Sequence, residues 1–301
     1  METQSCFDNK FLALWDDEPA LRQEWSKLQT LYAATREISR NLAIRALAYG
    51  NLVELREEVQ LSTDNSQEVF KYLSVCWNRL LLRSSLKVRD SLGLMFSSIN
   101  SVNAYGCALA ARGVIEHVGL MQHFWTQVPW RSTKVVSGRA LLDFSKKLHN
   151  LVGGSTFDWD KVLSGRVRLR DLIASKSWKR PKDERIPPMS ELIAALDKEI
   201  APSQGENGEG QIMFVYSALC DVIHPSWGGD FIYAPSMHRD IKLQACYDAH
   251  FKGIATWFCL PIVTVTLHFT KLVRLVFENE PQLMAMHEPQ NSSKGPRPST
   301  P

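Results

Sequence analysis

Apolar residues recur at intervals of three and four along most of this chain, which is the spacing of one buried face of an α-helix. The pattern first occurs over residues 18–60, where Leu21, Trp25 and Leu28 follow it. Pro19, near the start of this run, suits the first turn of a helix, where the N–H that proline lacks has no partner anyway. The sequence therefore predicts a long amphipathic helix in this region.

The same spacing predicts a series of further helices, which are bounded by proline, glycine and other turn-forming residues. They are expected from about residue 67, over 101–124, over 134–150, over 189–200, up to His224, and from 242 to 278. Little of the chain alternates in the manner of a strand, and the glycine-rich strand-to-helix turn of a nucleotide-binding fold does not occur. These features predict an all-α multi-helix bundle.

Composition divides the chain into three predicted parts. Residues 1–65 are expected to form an N-terminal helical extension packed on the bundle, and residues 66–279 the helical bundle domain. Residues 280–301 are rich in proline and polar residues, a composition that is typical of disorder. We therefore expect them to form a disordered tail.

The overall composition is that of an ordinary globular protein, with 45% apolar residues, 22% charged residues and a net charge of +3. So small a charge does not by itself indicate a nucleic-acid partner. The six cysteines are scattered without a C-x-x-C pair, which indicates reduced thiols rather than disulfides or a structural zinc site. The acidic N-terminus lacks the features of a signal peptide, so we expect a cytoplasmic protein. We also expect no metal or cofactor.

One stretch raises the question of a membrane. Residues 253–277 are apolar over about the length of a bilayer span. They also contain His268, Lys271 and Arg274, which a lipid-facing helix accommodates only at a high cost. A buried central helix is therefore the favoured interpretation, and membrane anchoring by residues 254–270 is the alternative.

A first candidate site lies in the stretch YSALCDVIHP. Tyr216, Cys220 and His224 are four residues apart, so they share one face of a helix. Pro225 cannot continue the backbone hydrogen bonds, which predicts that the helix ends near His224. His224 is then either the functional end of a site or a structural cap on free carbonyl groups.

A second candidate is the stretch ARGVIEH. Arg112 and Glu116 are one turn apart on a helix of mainly small and apolar residues, so we expect them to pair and to be partly buried. With His224 as a third member they would suit phosphodiester cleavage, in which histidine transfers a proton and arginine stabilises the pentavalent phosphate. The alternative is an ion pair that braces two helices.

A third candidate is a basic segment at residues 161–188, which holds nine basic and three acidic residues. Basic side chains beside a tryptophan can hold phosphates and stack a base. The alternative is a solvated connection between helices. The candidate nucleic-acid-binding residues are Arg166, Arg168, Arg170, Trp178, Lys179 and Arg180.

The segment from Arg112 to His117 also has the spacing R-x4-H. It resembles the R-x4-6-H motif of the HEPN-like superfamily, whose catalytic members are metal-independent ribonucleases built on an antiparallel helical bundle. In this chain Gly113 follows the arginine, where the family usually has a polar residue.

Over about residues 65–278 the order of motifs is similar to that of a group of uncharacterised bacterial HEPN-like proteins. An R-x3-E helix, a Y-x3-C-x3-H-P helix end and a long apolar final helix carry this resemblance. It implies that Arg112, Glu116, Tyr216 and His224 are the shared positions. It also implies a homodimer, because HEPN-like catalytic sites often form between two protomers.

The residues and this resemblance together predict a nucleic-acid-linked function, namely RNA cleavage of the toxin or defence type. In that function Arg112 contacts phosphate with the help of Glu116, and His224 acts as acid or base, with His117 as its rival. The alternative is a non-catalytic interaction or scaffold protein, in which Arg112, Glu116 and His224 are structural.

Overall fold

The structure of the protein is a computed structural model, which describes the chain in several stretches. These are residues 7–48, 66–128, 187–203, 210–224 and 251–285 without residue 254, together with 139–141, 143–144, 147–148, 168, 170 and 171. Helices account for 89% of the residues described, and none of these residues is in a strand. The predicted all-α fold is therefore confirmed for this part of the chain.

The described residues form a set of α-helices. The α-helices are α1 (Asn9–Ala13), α2 (Pro19–Ala48), α3 (Ser66–Asn100), α4 (Ala104–Thr126), α5 (Met189–Ile200), α6 (Gln211–Ile223) and α7 (Leu260–Ala285). A 3-10 turn, Ala201–Ser203, follows α5, and a π-helical turn, Ala255–Cys259, precedes α7.

Several predicted helices agree with those of the structure. α2 begins at Pro19, and α5 covers the predicted residues 189–200. α4 begins at Ala104, slightly later than predicted, because Asn103 caps it: its side chain accepts a hydrogen bond from the N–H of Gly106 at 2.9 Å. The residues described between 139 and 148 are helical, in agreement with the helix predicted there.

The last helix extends past residue 279, the predicted C-terminal boundary of the bundle. α7 continues to Ala285, so residues 280–285 are helical, although the sequence pattern assigns them to the tail. The apolar spacing weakens before the helix ends, so the pattern alone does not locate its last turns. Residues 286–301 and residues 49–65 lie outside the described part of the chain.

The helices bury a common core around α4. α4 packs against α3, α5, α6 and α7, while α2 packs against α3 and α7. Trp15, Trp25 and Trp77 have no exposed surface, and the rings of Phe7 and Phe11 pack edge-on against Trp25. Because burying one large apolar side chain contributes about 1.5–3 kcal/mol, these contacts attach α1 and α2 firmly to the bundle.

α7 is the helix whose sequence raises the question of a membrane. Among the described residues, Phe251–Glu278 is the one helical stretch that is long and apolar enough to cross a bilayer, judged by length and composition. A core helix of a soluble protein passes the same test. Val265, Phe269, Leu272 and Val276 are buried in the core, so this face of α7 contacts protein rather than lipid.

α3 and α4 form the most extensive helix pair of the described residues. A Cβ added to Gly106 would overlap the Oγ of Ser98, and a Cβ added to Gly113 would lie 2.8 Å from the Oγ of Ser91. The two glycines are seven residues apart, as are the two serines, but in the opposite order. The helices therefore run antiparallel in a fixed register, and the glycines permit their close approach.

The turn between α3 and α4 supports this arrangement. The N–H of Asn103 donates to the carbonyl of Ser98 at 2.8 Å, and the N–H of Val102 to that of Ile99 at 3.0 Å, which is the Schellman pattern. Val102 has a φ of 53°, in the left-handed region that β-branched residues rarely adopt. The reversal therefore carries backbone strain of about 1–2 kcal/mol, which the packing of the two helices offsets.

We predict that Gly106→Ala destabilises the protein by about 1–3 kcal/mol, because the new methyl group would overlap the Oγ of Ser98 and lie 3.1 Å from its Cβ. Gly113→Ala should cost less, because its methyl group would lie 3.6 Å from the Cβ of Ser91, whose hydroxyl can rotate away. Urea denaturation of both variants tests this order, and Ser98→Ala should partly rescue Gly106→Ala. Equal costs would contradict the close approach at Gly106.

Candidate functional site

Four polar side chains of α4 and α6 meet at the surface of the bundle. The Nε of Arg112 and the hydroxyl of Tyr216 both donate to Oε1 of Glu116, at 2.7 and 3.1 Å. The Nη1 of Arg112 lies 3.4 Å from the Nε2 of His224. Sequence positions 112 residues apart are thus neighbours in space, and we call these four residues the α4–α6 cluster.

Arg112 lies at the centre of the α4–α6 cluster. Its side chain and that of Glu116 are each 25% exposed, so their ion pair is largely removed from water. The guanidinium also lies over the ring of Tyr216, 5.6 Å from its centroid, in a cation–π contact. Burial lowers the pKa of Arg112, but the hydrogen bond and the charge of Glu116 outweigh this effect, so the pKa is raised. Arg112 is therefore a permanent cation held from two sides.

Tyr216 links the two helices through its hydroxyl group. Burial and the negative charge of Glu116 raise the pKa of Tyr216 well above its usual value, against the opposing charge of Arg112. The phenol therefore stays protonated and donates its hydrogen to the carboxylate. Arg112 and Tyr216 both donate to the same oxygen of Glu116, Oε1.

His224 closes the α4–α6 cluster on its exposed side. α6 ends at Ile223, and the backbone of His224 is extended, with φ −88° and ψ 151°, as favoured before a proline. Its N–H donates to the carbonyl of Cys220 at 2.8 Å. Because a guanidinium can only donate, Nε2 of His224 is the acceptor in its contact with Arg112. The predicted end of the helix at this residue is confirmed.

The N-terminus of α6 is held by Asp197 of α5, a residue that the sequence pattern did not single out. Its side chain accepts hydrogen bonds from the N–H groups of Gly210, Ile212 and Met213 at 2.5, 2.6 and 3.3 Å. These are groups that the first turn of a helix leaves without partners, and a negative charge is favourable there. Asp197 lies in the buried stripe of α5 beside Leu196. An acidic residue in an apolar stripe was the signal that could have revealed it.

His117, the predicted rival of His224, lies on the side of α4 that faces α3. Burial and then the positive charges of Arg83 and Lys87 of α3 lower its pKa to about 4, against the opposing charge of Glu116. His117 is therefore neutral at pH 7. Of the two histidines, it is His224 that contacts Arg112.

The basic segment at residues 161–188 is described only in part. Arg168 and Arg170 are exposed, and the Nε of Arg168 donates to Asp171 at 3.1 Å. The other predicted nucleic-acid-binding residues lie outside the described part, so the role of the segment stays a prediction. These residues are Arg166, Trp178, Lys179 and Arg180.

Other kinds of site find little support in the part of the chain that the structure describes. It contains no group of three His, Cys, Asp or Glu side chains that could hold a metal ion. Cys76, Cys107 and Cys220 are free thiols, as the sequence predicts. Comparison of the chain with protein family models, with curated proteins and with solved structures found no match. The geometry of the α4–α6 cluster is thus the main guide to function.

We predict that Asp197→Ala destabilises the protein by about 1.5–3 kcal/mol, because a buried charged acceptor of helix N–H groups is removed. Asp197→Asn should cost less, since its amide oxygen still accepts a hydrogen bond. Chemical denaturation measures both, with Asp171→Ala as the matched control, because Asp171 is exposed. If Asp197→Ala unfolded at the same urea concentration as the control, Asp197 would not hold α6.

We predict that His117→Gln removes one part of the pH dependence of stability. The pKa of His117 is about 4 in the folded protein and about 6.5 in an unfolded chain, so between these values the unfolded chain binds more protons. Stability should therefore fall as the pH decreases from about 6.5 to about 4. Urea unfolding of wild type and His117→Gln at pH 7 and pH 4.5 tests this. His123 and His268 are present in both proteins, so the difference between the two losses of stability reports His117 alone. Parallel losses in the two proteins would refute it.

Proposed function

We propose that this chain is a HEPN-like helical-bundle ribonuclease and that the α4–α6 cluster is its active site. The observation that supports this most is the contact of Arg112 Nη1 with His224 Nε2 at 3.4 Å, in an exposed position. A fixed cation beside an imidazole suits reaction at phosphate, because one stabilises charge and the other moves a proton. In this proposal the protein acts on RNA in the cytoplasm, as a homodimer.

Arg112 is the proposed phosphate-binding residue. Its Nε is engaged with Glu116, so its Nη groups can bind a phosphate oxygen while the ion pair stays intact. A phosphate bound there would lie next to the imidazole of His224. As negative charge grows on the non-bridging oxygens, the guanidinium stabilises it without having to move.

His224 is the proposed proton acceptor. When Arg112 Nη1 exchanges its contact with Nε2 of His224 for a phosphate oxygen, Nε2 is released and takes the proton of the ribose 2′-hydroxyl. The 2′-oxygen then forms a bond to phosphorus while the bond from phosphorus to the 5′-oxygen breaks. The leaving 5′-oxygen takes a proton from solvent, and the imidazolium later returns its own proton to solvent. The products are a 2′,3′-cyclic phosphate and a 5′-hydroxyl, and no water is consumed in this step.

Glu116 and Tyr216 are proposed as positioning residues. The carboxylate fixes the plane of the guanidinium through Nε, and the tyrosine hydroxyl fixes the carboxylate from the other helix. Tyr216→Phe would remove only the second hydrogen bond. It should therefore weaken cleavage less than a change at Arg112 or His224.

A scaffold role is the second candidate, and the same contacts favour it. The Tyr216–Glu116 hydrogen bond and the stacking of Arg112 on Tyr216 connect α4 to α6. In that case the α4–α6 cluster would brace the bundle for a protein partner. The two functions assign different roles to His224, which is exposed. In a ribonuclease it contributes to cleavage and little to stability, whereas in a scaffold its contact with Arg112 contributes to stability.

We predict that purified wild-type protein cleaves labelled total RNA and that His224→Ala lowers the rate by about 100-fold or more, as expected for removal of a general base. Because His224 is exposed, its removal should change stability by less than about 0.5 kcal/mol. Arg112→Ala should also abolish cleavage. Arg274→Ala is its matched control, because Arg274 makes the same Nε contact to a glutamate four residues later, at 2.7 Å, on α7.

The scaffold role predicts a different pattern. Wild type would not cleave RNA, and His224→Ala would lose about 1–3 kcal/mol of stability as its partner is left unsatisfied. Thermal melting of each variant therefore accompanies the cleavage assay. Cleavage that persists in His224→Ala and Arg112→Ala would reject this active site.

A further inference from the structure

The outward side of α7 carries large apolar side chains that are in contact with water. Trp257, in the π-helical turn before α7, is 66% exposed, and Leu267 is 44% exposed. Leu260 and Thr264 lie between them in the sequence and are partly buried. The intervals from Trp257 to Lys271 are three, four, three and four residues, so these five side chains follow one stripe. We call this stripe the α7 outer face.

The α7 outer face differs from the exposed side of the other long helix that packs beside it. α2 exposes charged side chains along its length, among them Arg22, Lys27, Arg36 and Arg40. This is the usual composition of a helix side that faces water. By contrast, residues 253–270 contain no Asp, Glu, Lys or Arg. Because exposed apolar surface is unfavourable in water, covering the α7 outer face would lower the free energy.

The opposite side of α7 is covered by the helical bundle. Val265 and Phe269 have no exposed surface, and 44% of the apolar window within Phe251–Glu278 is buried inside the protein. A helix that crossed a bilayer would have to withdraw these side chains from the core. A helix with one side in protein and an apolar stripe on the other is suited to lie in the plane of a membrane surface, among the lipid head groups.

The charges around the α7 outer face are suited to an anionic surface. Lys271 is exposed and ends the stretch without charge, and no acidic residue occurs between residues 253 and 277. The next carboxylate, Glu278, is bound by Arg274 at 2.7 Å. At the other end, Nζ of Lys252 lies 3.0 Å from the carboxylate of Asp17 and 2.7 Å from that of the next residue. The carboxylates at both ends of the stripe therefore have cationic partners.

We propose that the α7 outer face docks on the surface of a membrane that contains anionic lipids. Trp257 and Leu267 then lie among the head groups, where tryptophan is favoured, and Lys271 lies near the lipid phosphates, to which the negative surface potential attracts it. A second copy of the chain fits less well, because a stable interface buries about 800 Å² per partner and this stripe is one side chain wide. The inference is independent of the proposed function, since the α4–α6 cluster contributes nothing to it.

The test is co-sedimentation of the intact chain with lipid vesicles. One set of vesicles consists of phosphatidylcholine alone and the other of phosphatidylcholine mixed with phosphatidylglycerol. The variants are Trp257→Ala, Leu267→Gln and Lys271→Gln, and thermal melting checks that each is folded. Each variant has a control at a similarly exposed residue on another helix. The controls are Phe214→Ala on α6, Leu94→Gln on α3 and Lys198→Gln on α5.

Wild type should sediment with the mixed vesicles, and more weakly with phosphatidylcholine alone. Trp257→Ala should weaken binding about 10-fold and Leu267→Gln about 3- to 10-fold, because each removes apolar surface that the head groups would cover. Lys271→Gln should weaken binding to the mixed vesicles about 5-fold and leave binding to phosphatidylcholine unchanged. The three controls should bind as wild type does.

Several results would overturn the inference. These are no sedimentation of wild type with the mixed vesicles, wild-type binding by Trp257→Ala and Leu267→Gln, or equal losses in the controls. Protein that stayed with the vesicles after an alkaline carbonate wash would span the bilayer rather than dock on it. A dimer in light scattering that Trp257→Ala and Leu267→Gln dissociate, without vesicle binding by wild type, would assign the α7 outer face to a second copy of the chain.

Discussion

The guanidinium of Arg112 is the group on which the arrangement of the site depends. A charge that is largely removed from water must be compensated, or its burial would cost several kcal/mol. Here the compensation comes from three directions: a carboxylate one turn away, an aromatic ring on another helix, and an imidazole at the end of that helix. Only the first partner is local, so the arginine is satisfied only when α4 and α6 are docked correctly.

This dependence explains why the placement of α6 matters as much as its own sequence. The helix has thirteen residues, which is near the lower limit for a helix that is stable by itself. Its first turn is held by the buried carboxylate of Asp197, and its last turn ends at His224 against Arg112. The anion Asp197 thus fixes where α6 begins, and the cation Arg112 fixes where the side chain of His224 lies at its other end. Each sign agrees with the polarity of the nearby helix terminus: the anion is at the N-terminus, and the cation is close to the C-terminus.

Local periodicity was sufficient to predict part of this arrangement. Spacing of four identified Arg112 with Glu116, and spacing of eight Tyr216 with His224, as pairs that share a helix face. The proline after His224 located the end of α6. Spacing could not show that the two pairs meet, because this depends on the packing of elements that are far apart in the chain. Asp197 stands in the apolar stripe of α5, which could have marked it as buried, but its partners are backbone groups of another helix, which have no sequence signature. The resemblance to HEPN-like proteins stays a prediction, because no comparison tests it.

The two histidines of the region lie on different sides of α4 and have different neighbours. His117 is on the side of α3, where two cations and burial make it a weak base, with a pKa of about 4. A general base is most effective when its pKa is near the working pH, so His117 is poorly suited to accept a proton at neutral pH. It is better suited to donate a hydrogen bond to an anion. The two histidines therefore differ in their surroundings: His117 lies beside the cations of α3, whereas His224 contacts Arg112 at the end of α6.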